Sequence, residues 1–145
     1  MTPVRRFVAA LVLLIAAPAA AQAQVLADRM GVSVEALKED LIARLADCET
    51  GGLANRDAAI VPGLNGEATI GRLQFQVRTV IAYTKEIEDR RIDVSEARRI
   101  ALDARRSATL AKKIIFDRNG AGHWHSCARK LGLYQQVKAI QSLAP

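Results

Sequence analysis

A helix that the sequence both starts and stops constrains this chain more than any other stretch. After Ser33, apolar residues recur at Val34, Leu37, Leu41, Leu45 and Cys48, the three- and four-residue spacing of one helical face. Ser33 suits the N-cap, and Gly51-Gly52 ends the helix. At about 100° per residue, Glu49 falls beside Ile42 and Leu45, on the border of the buried stripe. A carboxyl held there is partly desolvated, which raises its pKa. The run Asp47-Cys48-Glu49-Thr50-Gly51-Gly52 thus sets one acid at a helix end, beside a cysteine and ahead of a glycine stop.

Residues 1–23 read as a signal peptide. Arg5 and Arg6 form a positive n-region, Phe7 to Ala17 an apolar core, and Ala21-Gln22-Ala23 a cleavage site. A retained anchor is the weaker alternative, because the apolar run is far shorter than the roughly 20 residues that span a bilayer. Residues 24–145 are expected to form a single domain around one core. The chain holds 21 basic and 15 acidic residues; removing Arg5 and Arg6 leaves 19 against 15, a mature charge of +4. That balance fits an ordinary solvated surface and equally fits adhesion to an anionic polymer. No arginine-rich run with interleaved aromatics points to nucleic acid, and no stable membrane insertion is expected once the signal is removed.

Cys48 and Cys127 are the only cysteines. In an exported protein they are expected to pair, closing a loop worth roughly 4–5 kcal/mol on the chain-entropy account; two free buried thiols are the alternative. His123 and His125 have no further cluster of suitable ligands to suggest a metal site, and read as surface or hydrogen-bonding residues. No metal or cofactor is expected.

Between Gly51 and Glu67 the chain is rich in Gly, Asn, Asp and Pro, and reads as a loop with a short strand or hairpin, turned at Pro62-Gly63 and Asn65-Gly66. Thr69-Ile70-Gly71 continues it in extended form, with Gly71 allowing close backbone approach or positive φ. Gln76 to Glu88 reads as a helix with Val77, Val80, Ile81, Thr84 and Ile87 on one face. Asp93 and Glu96 form a capping-box-like start to another, with a bend expected around Arg105-Arg106-Ser107. A further helix over Ala108 to Asp117 ends at Asn119-Gly120. Ser126 is the expected cap of a short helix closing at Gly132. The tail carries Val137, Ile140 and Leu143 at helical spacing.

Three segments carry a resemblance: Cys48-Glu49-Thr50-Gly51-Gly52, Ile70-Gly71-Arg72-Leu73-Gln74-Phe75-Gln76 and His123-Trp124-His125-Ser126-Cys127 through Leu133. In order and spacing they resemble the small lysozyme-like members of the soluble lytic transglycosylase superfamily, across about Leu41 to Leu133. The resemblance implies a mainly α fold, α+β in the lysozyme manner, with helices around a glycan-binding cleft and a small β-like or irregular insertion. It implies Glu49 as catalytic acid and Thr50 as the hydroxyl residue that follows it. Gly71, Leu73 and Gln74 match a turn that lines the sugar site, and Thr79 a threonine after that turn. Cys48 and Cys127 match a cysteine pair of the small members. An A-Y-N-x-G segment of the larger relatives is missing here; Tyr83 and Trp124 are the candidate replacements for its aromatic.

What the resemblance implies chemically is cleavage of the MurNAc-GlcNAc β-1,4 bond of peptidoglycan by one acid, giving 1,6-anhydro-muropeptides. The export signal sets the expected location as the periplasm or the exterior, a domain of this size is expected to be a monomer, and the resemblance implies glycan strands as its partner. Two alternatives stay open. Asp57 or Glu67 could serve a muramidase as second carboxylate, or the fold could bind the wall without cleaving it.

Overall fold

The computed structural model describes residues 31–53, 55–63 and 66–143. The signal-peptide reading, over residues 1–23, lies outside them. Among the described residues the fold is mainly helical with one small antiparallel sheet. The helices are α1 (Val34–Thr50), α2 (Val77–Glu88), α3 (Val94–Leu102), α4 (Ala104–Arg118), α5 (His125–Lys130) and α6 (Leu133–Gln141). The strands, each of two residues, are β1 (Ile60–Val61), β2 (Thr69–Ile70) and β3 (Phe75–Gln76), with β2 in the middle. Ile60 pairs with Ile70, and Thr69 with Gln76.

Local chemistry fixes both ends of α1. Ser33 Oγ accepts from the Ala36 N–H at 3.1 Å, satisfying one of the orphan donors of the first turn. At the other end Gly51 takes φ 58°; Gly52 N–H donates to the Asp47 carbonyl at 3.1 Å and Gly51 N–H to the Cys48 carbonyl at 3.4 Å. That pair of bonds is the Schellman arrangement, which a side chain with a Cβ adopts only at a cost.

The core is one cluster in which Leu41 and Leu45 of α1 meet Ile114 and Ile115 of α4, Val80 of α2 and Leu133 of α6, all fully buried. Helix α1 packs on α4, α5 and α6, while α2 packs on α3 and α4. The tail helix docks as its spacing predicts, with Val137 and Ile140 buried. Gln141 Nε2 donates to the Phe116 carbonyl at 2.9 Å. The cysteines are joined, their Cα atoms 5.9 Å apart across a separation of 79 residues, so the end of α1 is tied covalently to α5.

Two helix starts differ from the sequence expectation, and at the first a polar cap outranks the apolar pattern. The break expected at Arg105-Arg106-Ser107 falls at Asp103, which closes α3 and whose carboxylate accepts from the Arg106 N–H at 2.8 Å to open α4. Helix α5 begins at His125 with Ser126 already inside it and no side-chain cap. Asp93 does cap α3, accepting from the Glu96 N–H at 2.7 Å. Glu96 departs from the capping box in turning its carboxylate to Arg90, Arg99 and Arg106.

Gly71 is required twice over. Its φ is +75°, and a Cβ there would stand 2.0 Å from the Ala101 carbonyl oxygen of α3. Its N–H donates to the Ala59 carbonyl at 2.7 Å. The turn after β2 is thereby pressed against both the loop and α3.

Candidate active site

The last turn of α1, the small sheet and the start of the Trp124 segment enclose a groove of about 370 Å³, lined by Glu49, Val61, Thr69, Gln74, Phe75, Gln76, Thr79, His123 and Trp124. Glu49 reaches it because it occupies the border position on α1, half-buried between the solvent face and the Leu45 stripe. Burial pushes its pKa above the ordinary glutamate value, and the Lys130 charge opposes that rise. The negative end of the α1 dipole lies at the same turn, which holds no basic residue, and it too disfavours the ionised form.

Glu49 is set apart by what it lacks. Among the described residues it accepts no hydrogen bond and joins no ion pair. The other described acids are paired with cations, as Asp47 is with Arg56 and Glu35 with Lys112, or cap helices, as Asp93 and Asp103 do; the exposed Asp117 is the exception. The two candidates for a second carboxylate follow the majority. Arg72 Nε donates to Asp57 at 2.5 Å, and Arg78 Nε stands 3.0 Å from Glu67. Neither acid lines the groove.

The other expected site residues divide into groove and core. Thr79 lines the groove from the first turn of α2. Gln74 lines it as well, but its amide is engaged: Oε1 accepts from Thr69 Oγ1 at 2.5 Å, and Nε2 donates to the Gly71 carbonyl at 2.8 Å. Gln74 holds the turn, at a positive φ of 49°. Leu73 is fully buried and faces the core. Thr50 is 6% exposed, its hydroxyl turned back to the Ala46 carbonyl at 2.8 Å. Gly71 packs against α3. These three shape the walls from behind and present no side chain to the groove.

Trp124 is 4% exposed, and its Nε1 donates to the Leu73 carbonyl at 2.7 Å. Its ring meets Phe75 edge-on with centroids 5.4 Å apart. It closes the groove floor and offers no open face on which a flat ligand could stack. Tyr83 stands behind the wall, its hydroxyl hydrogen-bonded to His123 Nε2 at 2.9 Å. The exposed polar wall is His123 itself, which the sequence marked only as a surface or hydrogen-bonding residue. Val61, Thr69, Phe75 and Gln76 also line the groove and were not among the expected site residues. Alternation in strands of two residues is too short a signal to assign a face.

Among the described residues no group of three or more His, Cys, Asp or Glu is arranged to hold a metal ion, and no helix is long and apolar enough to cross a membrane. Searches against protein-family models, curated proteins and solved structures found no significant match to this chain.

Proposed function

We propose that this protein is an exported lytic transglycosylase that cleaves the MurNAc-GlcNAc bond of peptidoglycan with Glu49 as its one general acid and base. The observation that carries the reading is a half-buried glutamate, without a partner among the described residues, facing a groove with its pKa raised by burial. A general acid must hold its proton at working pH, and desolvation is the means of keeping it. In the proposed reaction Glu49 gives its proton to the leaving glycosidic oxygen. It then takes the proton of the muramic acid 6-hydroxyl as that oxygen attacks C1, leaving a 1,6-anhydro end and regenerating the acid.

The engagement of Asp57 with Arg72 and of Glu67 with Arg78 supports one acid over a hydrolytic pair. A second carboxylate of a retaining or inverting enzyme flanks the scissile bond, and neither residue lines the groove. The lysozyme-like fold and the glycan cleft are part of the same proposal; the mainly helical architecture and the small sheet are compatible with them. The Cys48–Cys127 bridge supports an oxidising compartment, in line with a periplasmic or secreted monomer.

Mass spectrometry of purified peptidoglycan digested by wild type and by Glu49→Gln tests this reading. Anhydro-muropeptides from wild type alone are expected. Reducing ends, heavier by one water, would shift the assignment to hydrolysis, and equal digestion by the variant would remove Glu49 as the acid. Glycan binding without cleavage by either protein would leave a wall-binding role.

A further inference from the structure

Most cations on the described surface are neutralised by a neighbouring acid, as Arg44 is by Asp40, Lys113 by Glu88 and Arg118 by Glu86. Arg129 and Lys130 are not. Both are exposed at the end of α5, consecutive in sequence, and neither joins an ion pair among the described residues. The other described cations without such a pair, Arg91, Arg98, Arg105 and Lys138, are never adjacent to one another in sequence. With exposed His125 and Ser126, Arg129 and Lys130 line a depression of about 460 Å³.

Its position connects it to the groove. His123 and Trp124 line the Glu49 groove, and the chain passes directly from them to His125. Cys127, one turn before Lys130 on α5, is bonded to Cys48, the neighbour of Glu49. Lys130 therefore lies on the side of α5 held against the end of α1, and its field reaches the Glu49 carboxyl. A position in the last turn of a helix suits a cation but supplies it with no counter-anion.

We propose that His125, Arg129 and Lys130 form an anion subsite continuous with the Glu49 groove, which takes a carboxylate carried by the glycan strand beside the bond to be cleaved. The inference rests on the glycan-cleaving reading above and deepens it, because it makes the preferred substrate a charged strand. Two sources offer the same chemistry: the lactyl carboxylate of a strand stripped of peptide, and the carboxylates of the peptide stems. A carboxylate seated there offsets the Lys130 charge, so Glu49 holds its proton best when substrate is bound.

The test is calorimetric titration of the full chain carrying Glu49→Gln, alone and with Arg129→Gln and Lys130→Gln added. Three soluble ligands of matched length serve as probes: stem-bearing strands, amidase-stripped strands and neutral N-acetylglucosamine oligomers. The added pair is expected to weaken binding of at least one carboxylate-bearing strand about tenfold, the worth of one charge-assisted hydrogen bond. Binding of the neutral oligomer should change less than about twofold on the same scale. The strand that weakens identifies the source. A protein carrying Arg129→Lys and Lys130→Arg in place of the Gln pair should keep its affinity. Unchanged affinity for both charged strands, or an equal loss for the neutral oligomer, overturns the subsite while leaving the glycan reading intact. Absence of binding to every ligand, together with no cleavage by wild type, overturns both.

Discussion

Glu49 and Glu96 are both glutamates on helix surfaces, and the molecule treats them in opposite ways. At the α3–α4 corner Glu96 collects Arg106 at 2.9 Å, Arg99 at 2.8 Å and Arg90 at 3.4 Å. The hydrogen bond from Arg106 leads in holding its carboxyl below the ordinary range, with the charges of Arg99 and Arg106 adding to it. At the groove mouth Glu49 has no such neighbour, and burial drives its pKa the other way. Desolvation without a partner makes a proton donor, whereas partnering makes a fixed negative charge that joins helices. Gly71 links the two corners, since the turn behind the groove is pressed against Ala101 at the end of α3.

The contrast is sharpest in activity. On the proposed transglycosylase reading, Glu49→Gln should lower release of anhydro-muropeptides by about 10²–10⁴-fold, the usual worth of a general acid. Glu96→Gln should leave the rate within about twofold, as expected for a group remote from the proton transfer. A rate loss at Glu96 comparable to that at Glu49 would mean that the two corners are one functional unit.

Stability effects come next. Replacing both Cys48 and Cys127 by Ser should cost roughly 2–5 kcal/mol in urea unfolding, because the unfolded chain regains the loop entropy. Loss below about 1 kcal/mol would place the stability of the groove mouth elsewhere, far under the usual worth of such a bridge. Gly71→Ala should cost about 2 kcal/mol or more, from the left-handed backbone and the collision with the Ala101 carbonyl together. A neutral effect on the unfolding midpoint would show that the turn can leave α3 freely.

Titration supplies the finer contrast, and its signs are opposite at the two corners. The raised pKa of Glu49 means that the native state prefers the protonated form. Its ionisation destabilises the fold as pH rises from the unfolded-state pKa through the folded one. Glu49→Gln should therefore raise Tm near neutral pH, and the gain should vanish below the ordinary carboxylate range. Glu96, with its lowered pKa, contributes stability above the unfolded-state value and loses it as pH falls through the folded one. Glu96→Gln should accordingly lower Tm at neutral pH and converge with wild type in acid. Thermal scans across pH for both variants check the pair of signs.

The smallest effect expected is at Lys130. Its charge opposes the rise in the Glu49 pKa, so Lys130→Gln should move the alkaline limb of the activity profile to higher pH. A shift to lower pH would contradict the placement of Lys130 beside the acid.

What the sequence determines here is what a few neighbouring residues can enforce. Ser33, the apolar spacing and Gly51-Gly52 specify α1 and both of its ends, because capping and Schellman bonds close within one turn. The same periodicity sets Glu49 on the border of the buried face, and Asn119 ends α4 in the left-handed conformation as its position predicts. The pairing of the only two cysteines was also legible, since no other partner exists.

Tertiary structure decided which polar groups stay free and which aromatic faces stay open. Asp57 meets Arg72 across 15 positions and Glu67 meets Arg78 across 11, so the engagement of these two acids was not written in any local pattern. Trp124 stands in the sequence as a candidate cleft aromatic until its indole bonds the Leu73 carbonyl, 51 residues away, and its ring is taken into the core. Gln74 resembles a ligand-facing amide until the turn brings Thr69 and Gly71 to its two ends. The physical reason is common to all of these. Desolvation and hydrogen bonding depend on what packs around a group, and only the folded chain brings those distant neighbours together.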